Sequence, residues 1–176
     1  MIRFQFQPRK FASAAAYIAE HKAQVTKKEI CKLIFFADQR HLLQYGRTIT
    51  GDKYNALPQG PVPSHGLDML NEHQEAPASD IETMREFGKV RGWVFYPTRA
   101  ADRSVFSRSD LRVMDEILAE MGKLTADQLE DLSHEEPAWR KTGQAQRMDF
   151  DLFFEGHPEF EEMRSLVSIE HAETKA

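Results

Sequence analysis

The chain has 176 residues, 41% of them hydrophobic and 10% aromatic, with a net charge of −5 and a single cysteine. Such a length suits one domain with a core of its own, and such an apolar content excludes a disordered chain. Lone Cys31 excludes an internal disulfide framework and fits a reducing compartment. The opening residues, MIRFQFQPRKF, lack the apolar run and cleavage site of a signal peptide, and no window approaches about 18 uncharged apolar residues. The expectation is a cytoplasmic protein with no membrane span. Charge is uneven: residues 1–53 hold ten Lys or Arg against four Asp or Glu, whereas residues 149–176 hold eight acids against two bases. That polarity either marks a charged partner or serves solubility, and the overall acidity argues against nucleic acid as the main partner.

In chain order, Phe11, Ala14, Ala15 and Ile18 follow the i, i+3, i+4, i+7 spacing of an amphipathic helix over residues 9–22, with Pro8 just ahead of it. Thr26 and Glu29 form a capping-box pattern that opens a helix running to about Tyr45. Ile30, Leu33, Ile34 and Ala37, widened by Phe36, Leu42 and Leu43, make it central, and Gly46 supplies its C-cap. Thr48, Ile49 and Thr50 are β-prone, Gly51-Asp52 turns, and Tyr54–Leu57 reads as a short strand. A helix is predicted from Val62 to about His73. Residues 75–91 give a weak pattern, with 81–87 read as either a short helix or irregular chain. Residues 93–96 read as a strand ended by Pro97, able to pair with Tyr54–Leu57. Ser109 is the predicted cap of a helix with Leu111, Met114, Ile117, Leu118 and Met121, closed by Gly122. Thr125 caps another, with Leu129 and Leu132 inside. Pro137 either breaks that helix or restarts a short turn with Trp139, and an aromatic stretch, Phe150 to Phe154, precedes a last helix near Pro158. The pattern predicts a mainly α fold: one compact helical domain over 1–176 with a small β-hairpin or short sheet, and an acidic helical extension over 149–176.

Chemistry-bearing motifs are scarce. His134-Glu135-Glu136 is not HExxH, and Pro137 would bend the helix that such a motif requires; His65 and His73 stand too far apart for one ion. No metal site and no cofactor is expected. Cys31 reads as a buried structural thiol, the serines sit in no nucleophile elbow, and Asp38 with His41 reads as a surface hydrogen-bonded pair. The stretch GDKYNALPQGPVPS, residues 51–64, fits neither GxxxxGK[ST] nor GxGxxG. Gly51, Gly60, Pro61 and Pro63 instead serve a change of direction, the prolines presetting φ at a helix start. No catalytic set emerges.

Two separated blocks carry a family resemblance. Lys32-Leu33-Ile34-Phe35-Phe36-Ala37-Asp38, Tyr45-Gly46-Arg47, Ile49-Thr50-Gly51-Asp52, Tyr54 and Gly60-Pro61-Val62-Pro63 form the first. Phe106-Ser107, Asp110-Leu111 and Leu132-Ser133-His134-Glu135-Glu136-Pro137-Ala138-Trp139 form the second. Together, over about residues 10–140, they resemble the Panacea domain family of SocA-like antitoxins. The resemblance implies the antitoxin of a bacterial or phage toxin–antitoxin pair, binding a cognate toxin without catalysis, with a protease or chaperone as further partners and homo-oligomers compatible. Asp52, Lys53, Tyr54, Gln59, Pro61 and Trp139 are the partner-contact candidates, with Gly46, Gly51, Gly60, Pro61, Pro63 and Pro137 as framework. Competing readings are an adaptor that delivers the toxin to a protease, an enzyme using Asp52, His65 or His134, and a mobile-element protein with another target.

Overall fold

The computed structural model describes residues 2–173. Helix α1 (Pro8–His21) carries Ala12, Ala14, Ala15 and Ala16, all buried, and these small side chains let α4 (Ala78–Phe87) pack closely against it. Helix α2 (Lys27–Tyr45) is buried on nearly every side from Glu29 to Leu43, as a helix must be when it runs through a core. Its ends are fixed locally: Thr26 accepts from the Glu29 N–H and Glu29 answers on the Thr26 N–H, while Gly46 closes the other end at φ 74°. Around it pack α5 (Arg108–Met121), α6 (Ala126–Glu135) and α8 (Glu161–Glu173).

Two antiparallel hairpins flank this helical body. Strands β1 (Tyr54–Leu57) and β2 (Gly60–Pro63) pair from Tyr54↔Pro63 to Leu57↔Gly60; β3 (Gly88–Arg91) and β4 (Val94–Pro97) pair from Gly88↔Pro97 to Arg91↔Val94. The sequence reading that joined 54–57 to 93–96 is corrected: each strand pairs with its immediate neighbour. The second hairpin is laced to the α1–α2 connection instead, through Lys27 N–H to Trp93 O and Phe95 N–H to Val25 O. Gly60–Pro63 is a strand and not a helix start, and α3 spans only Ser64–Leu70. Prolines fit there because they alternate with Gly60 and Val62, the residues able to donate, on a strand paired along one edge.

Elsewhere side chains capture the backbone. Residues 48–50 form no strand, because Asp38 takes the N–H groups of Ile49 and Thr50 at 2.7 and 2.9 Å. Asp38 and His41 are both fully buried rather than on the surface, and their bonds go elsewhere. Ser107, not Ser109, caps α5 in a box with Asp110, while Ser109 meets His41 Nε2 at 2.9 Å. Leu132, expected inside, is 40% exposed. Beyond α7 (Pro137–Lys141), Phe150, Phe153, Phe154 and Val167 are buried, so the acidic C-terminal part is helical and joins the core. No helix among the described residues is long and apolar enough to cross a membrane.

Candidate functional site

The stretch 51–64 is held from inside by two buried carboxylates. Asp38 Oδ2 accepts from the Thr50 hydroxyl at 2.5 Å and from the Tyr54 hydroxyl at 2.7 Å, and burial raises its pKa against the pull of these bonds. Asp52 accepts from the N–H groups of Lys53, His65 and Gly66, so it caps α3; burial nevertheless pushes its pKa up to about 7. Gly51, at φ 73°, brings the chain so close to Gln5 that a Cβ would lie 1.9 Å from the Gln5 carbonyl oxygen. From the other side, Trp139 donates its Nε1–H to Leu57 O at 3.0 Å and stacks on His134, with ring centroids 4.1 Å apart. Pro137 starts the short helix that carries it. The hairpin is thus a rigid wall.

That wall bounds a groove of about 710 Å³. Lys27, Lys28, Cys31 and Lys32 of α2 form its floor, and Leu57, Pro58, Gln59 and Val62 of the first hairpin form one side. Leu67 and Asn71 adjoin it from α3, Trp93 stands on the rim from the turn of the second hairpin, and Ala126 and Asp127 face it from the start of α6. Trp93 is 75% exposed. Its backbone carbonyl is tied to Lys27, and the Lys27 ammonium lies 5.5 Å from the ring centroid. Gly60, at φ 97°, lacks the Cβ that would come within 2.3 Å of Lys32 Nζ and 2.4 Å of Ser133 Oγ, so the lysine amine can reach Pro61 O at 3.0 Å.

Of the six predicted contact residues, only Gln59 lines this groove. Asp52, Tyr54 and Pro61 are buried in the framework and present no surface, Lys53 is half-buried beside the α3 start, and Trp139 is engaged behind the hairpin. The three residues of the enzymatic alternative do not meet in the groove either. Asp52 is committed to backbone N–H groups, His65 stacks on Phe6 at 5.0 Å, and His134 lies under Trp139. Burial pushes the Cys31 thiol up to about 12, which leaves it a neutral part of the floor. Among the described residues, no cluster of His, Cys, Asp and Glu is arranged to hold a metal. Sequence reasoning missed Trp93 and Lys32; a tryptophan directly after Gly92, ahead of the β-prone Val94-Phe95-Tyr96, was the available sign of a turn position.

The basic first third is largely neutralised within the chain. Arg9 pairs with Glu86 and Asp102, Lys28 with Asp127 and Glu130, and Arg40 with Glu116 and Glu120. Asp110 is bound by Lys10, His41 and Arg47; burial pushes its pKa up, but these groups and the Ser107 N–H hold it well below the usual carboxylate range. The sequence-level dipole is therefore mostly spent on interior and surface pairing.

Architecture and site define a small helical domain built round one buried helix, with an open groove between two hairpins. The family model for the antitoxin SocA-like Panacea domain matches residues 30–140, and the chain belongs to that family. No curated protein and no solved structure matches it.

Proposed function

We propose that this chain is a cytoplasmic antitoxin that silences a cognate toxin by direct, non-catalytic binding, with the groove between the hairpins as its contact face. The observation that carries the reading is the open groove with Trp93 exposed on its rim, in a chain of the antitoxin family. Tryptophan is among the residue types that dominate binding energy at interfaces, and a rigid wall lowers the entropy lost on docking. Binding of this kind needs no catalytic group.

Co-expression with the adjacent reading frame, followed by affinity purification, tests the proposal. Growth rescue with a stoichiometric complex, weakened by Trp93→Ala, is the expected result. Rescue without a complex counts against it. A shortened toxin half-life in pulse-chase, at unchanged toxin synthesis, would favour the protease adaptor instead.

A further inference from the structure

Most basic groups in residues 1–53 already have their acids. Arg9, Lys10, Lys22, Lys28, Arg40 and Arg47 each lie within 4.0 Å of a carboxylate. Lys27 and Lys32 have no such partner among the described residues, and both line the groove. Lys27 is held by Asn71 Oδ1 at 2.6 Å. Lys32 is only 2% exposed, and of the three N–H bonds an ammonium can donate, its Nζ makes one, to Pro61 O at 3.0 Å. A buried charge without a counter-ion is strongly unfavourable.

Burial accordingly lowers the Lys32 pKa to about 8. The charged groups that face it are Lys28 on its own helix and Glu130 from α6; the Cys31 thiol beside it is neutral, and the wall from Leu57 to Val62 brings no charge. Around Lys32 the groove presents apolar Leu57, Val62, Leu67 and Trp93, with Lys27 and Lys28 beside it and Asp127 at the start of α6. A buried amine among apolar side chains suits a carboxylate carried next to an apolar residue.

We propose that the groove takes an acidic segment of the partner protein, one Asp or Glu seating its carboxylate on Lys32 while an adjacent apolar side chain packs against Leu57, Val62, Leu67 and Trp93. This rests on the reading of the groove as the toxin-binding face. The incoming carboxylate supplies the counter-ion that Lys32 lacks, and Lys27 on the same floor adds attraction.

A random heptapeptide library displayed on phage, selected against the purified full-length chain and against Lys32→Met, tests this. Methionine fills the lysine's volume without charge, and thermal melting checks that the variant is folded. The wild type is expected to enrich peptides with Asp or Glu next to a large apolar residue. Changing that Glu to Gln in a selected peptide should weaken binding about tenfold or more, and Lys32→Met should bind both forms alike. Trp93→Ala should lose affinity for both forms yet keep the preference for Glu. At pH 9, binding of the Glu peptide to the wild type should take up protons, read from the dependence of calorimetric enthalpy on buffer. Enrichment without acidic residues, no enrichment, or equal discrimination by wild type and Lys32→Met overturns the proposal. The selection uses this chain alone. If acidic peptides bind but the neighbouring frame neither harms cells nor co-purifies, the antitoxin reading falls and the groove's chemistry stands.

Discussion

Replacing Tyr54 by Phe separates a framework role for the first hairpin from a contact role. Tyr54 is 1% exposed, and its ring packs edge-on against Phe35 at 5.3 Å and lies 6.1 Å from Phe153. Phenylalanine keeps those contacts and deletes only the 2.7 Å bond from the hydroxyl to Asp38 Oδ2. A hydrogen bond to a charged group contributes about 1.5–3 kcal/mol. Here the acceptor oxygen keeps its bond from the Thr50 hydroxyl, so the lower end applies, about 1.5 kcal/mol. For a chain of this size, roughly 2–4 °C of melting temperature goes with each kcal/mol, giving a drop of roughly 3–6 °C. Urea denaturation should show a lower midpoint at unchanged slope, since the surface exposed on unfolding is the same. Affinity for the toxin, titrated well below the melting temperature, should stay within about twofold, as no contact surface is lost. An unchanged melting temperature together with a tenfold or greater loss of affinity would refute the reasoning and return Tyr54 to the interface.

Asp52 makes stability depend on pH in an unusual direction. Its folded pKa of about 7 lies above the model-compound value of 3.8, so the folded state holds more protons in between, and stability is lost as pH rises through that window. The loss approaches about 1.4 kcal/mol per pH unit, and urea midpoints of wild type and Asp52→Asn between pH 5 and 7 should differ in slope accordingly. Gly60→Ala places a side chain at φ 97° against Lys32 Nζ and Ser133 Oγ and should destabilise the fold by about 1–3 kcal/mol in the same assay. Thr26→Ala removes one half of the α2 capping box at a cost of about 1 kcal/mol. Trp93→Ala, on a side chain 75% exposed, should leave the melting temperature nearly unchanged while weakening the toxin complex by about 2 kcal/mol or more.

What the sequence made legible is what neighbouring residues decide among themselves. Thr26 with Glu29, Thr125, and Gly46 after Tyr45 mark helix ends by local hydrogen bonding, and all three stand as read. Pairings between distant residues were not legible. The acceptor that captures Ile49 and Thr50 belongs to Asp38, eleven and twelve positions upstream, and nothing in the β-prone triplet Thr48-Ile49-Thr50 signals that capture. Likewise, the four residues 54–57 carry no instruction to choose 60–63 over 94–97 as partner; the two-residue connection Pro58-Gln59 decides it by proximity. The groove was hidden for a related reason: its lining comes from five separate stretches of chain. Tyr54, Asp52 and Trp139 were plausible contacts because interface anchors and core anchors share a composition, and only burial tells them apart.

The family match ends at residue 140, but the backbone bonding along the first hairpin draws on residues beyond it. On the edge of β1 away from β2, Tyr54 O accepts from the Met148 N–H, Ala56 N–H donates to Gln146 O, and Ala56 O accepts from the Ala145 N–H. Farther on, Phe153 closes over Phe35 and Tyr54, and Val167 and Met163 lie against Gly46. A chain cut at residue 140 would leave an open strand edge and bare aromatic surface, the two features that drive chains to stick to one another. The segment that the family model matches is therefore shorter than the segment that packs together in this fold. A tag or fusion partner belongs beyond α8, and mapping of the proposed toxin contact should replace side chains rather than remove residues 141–173.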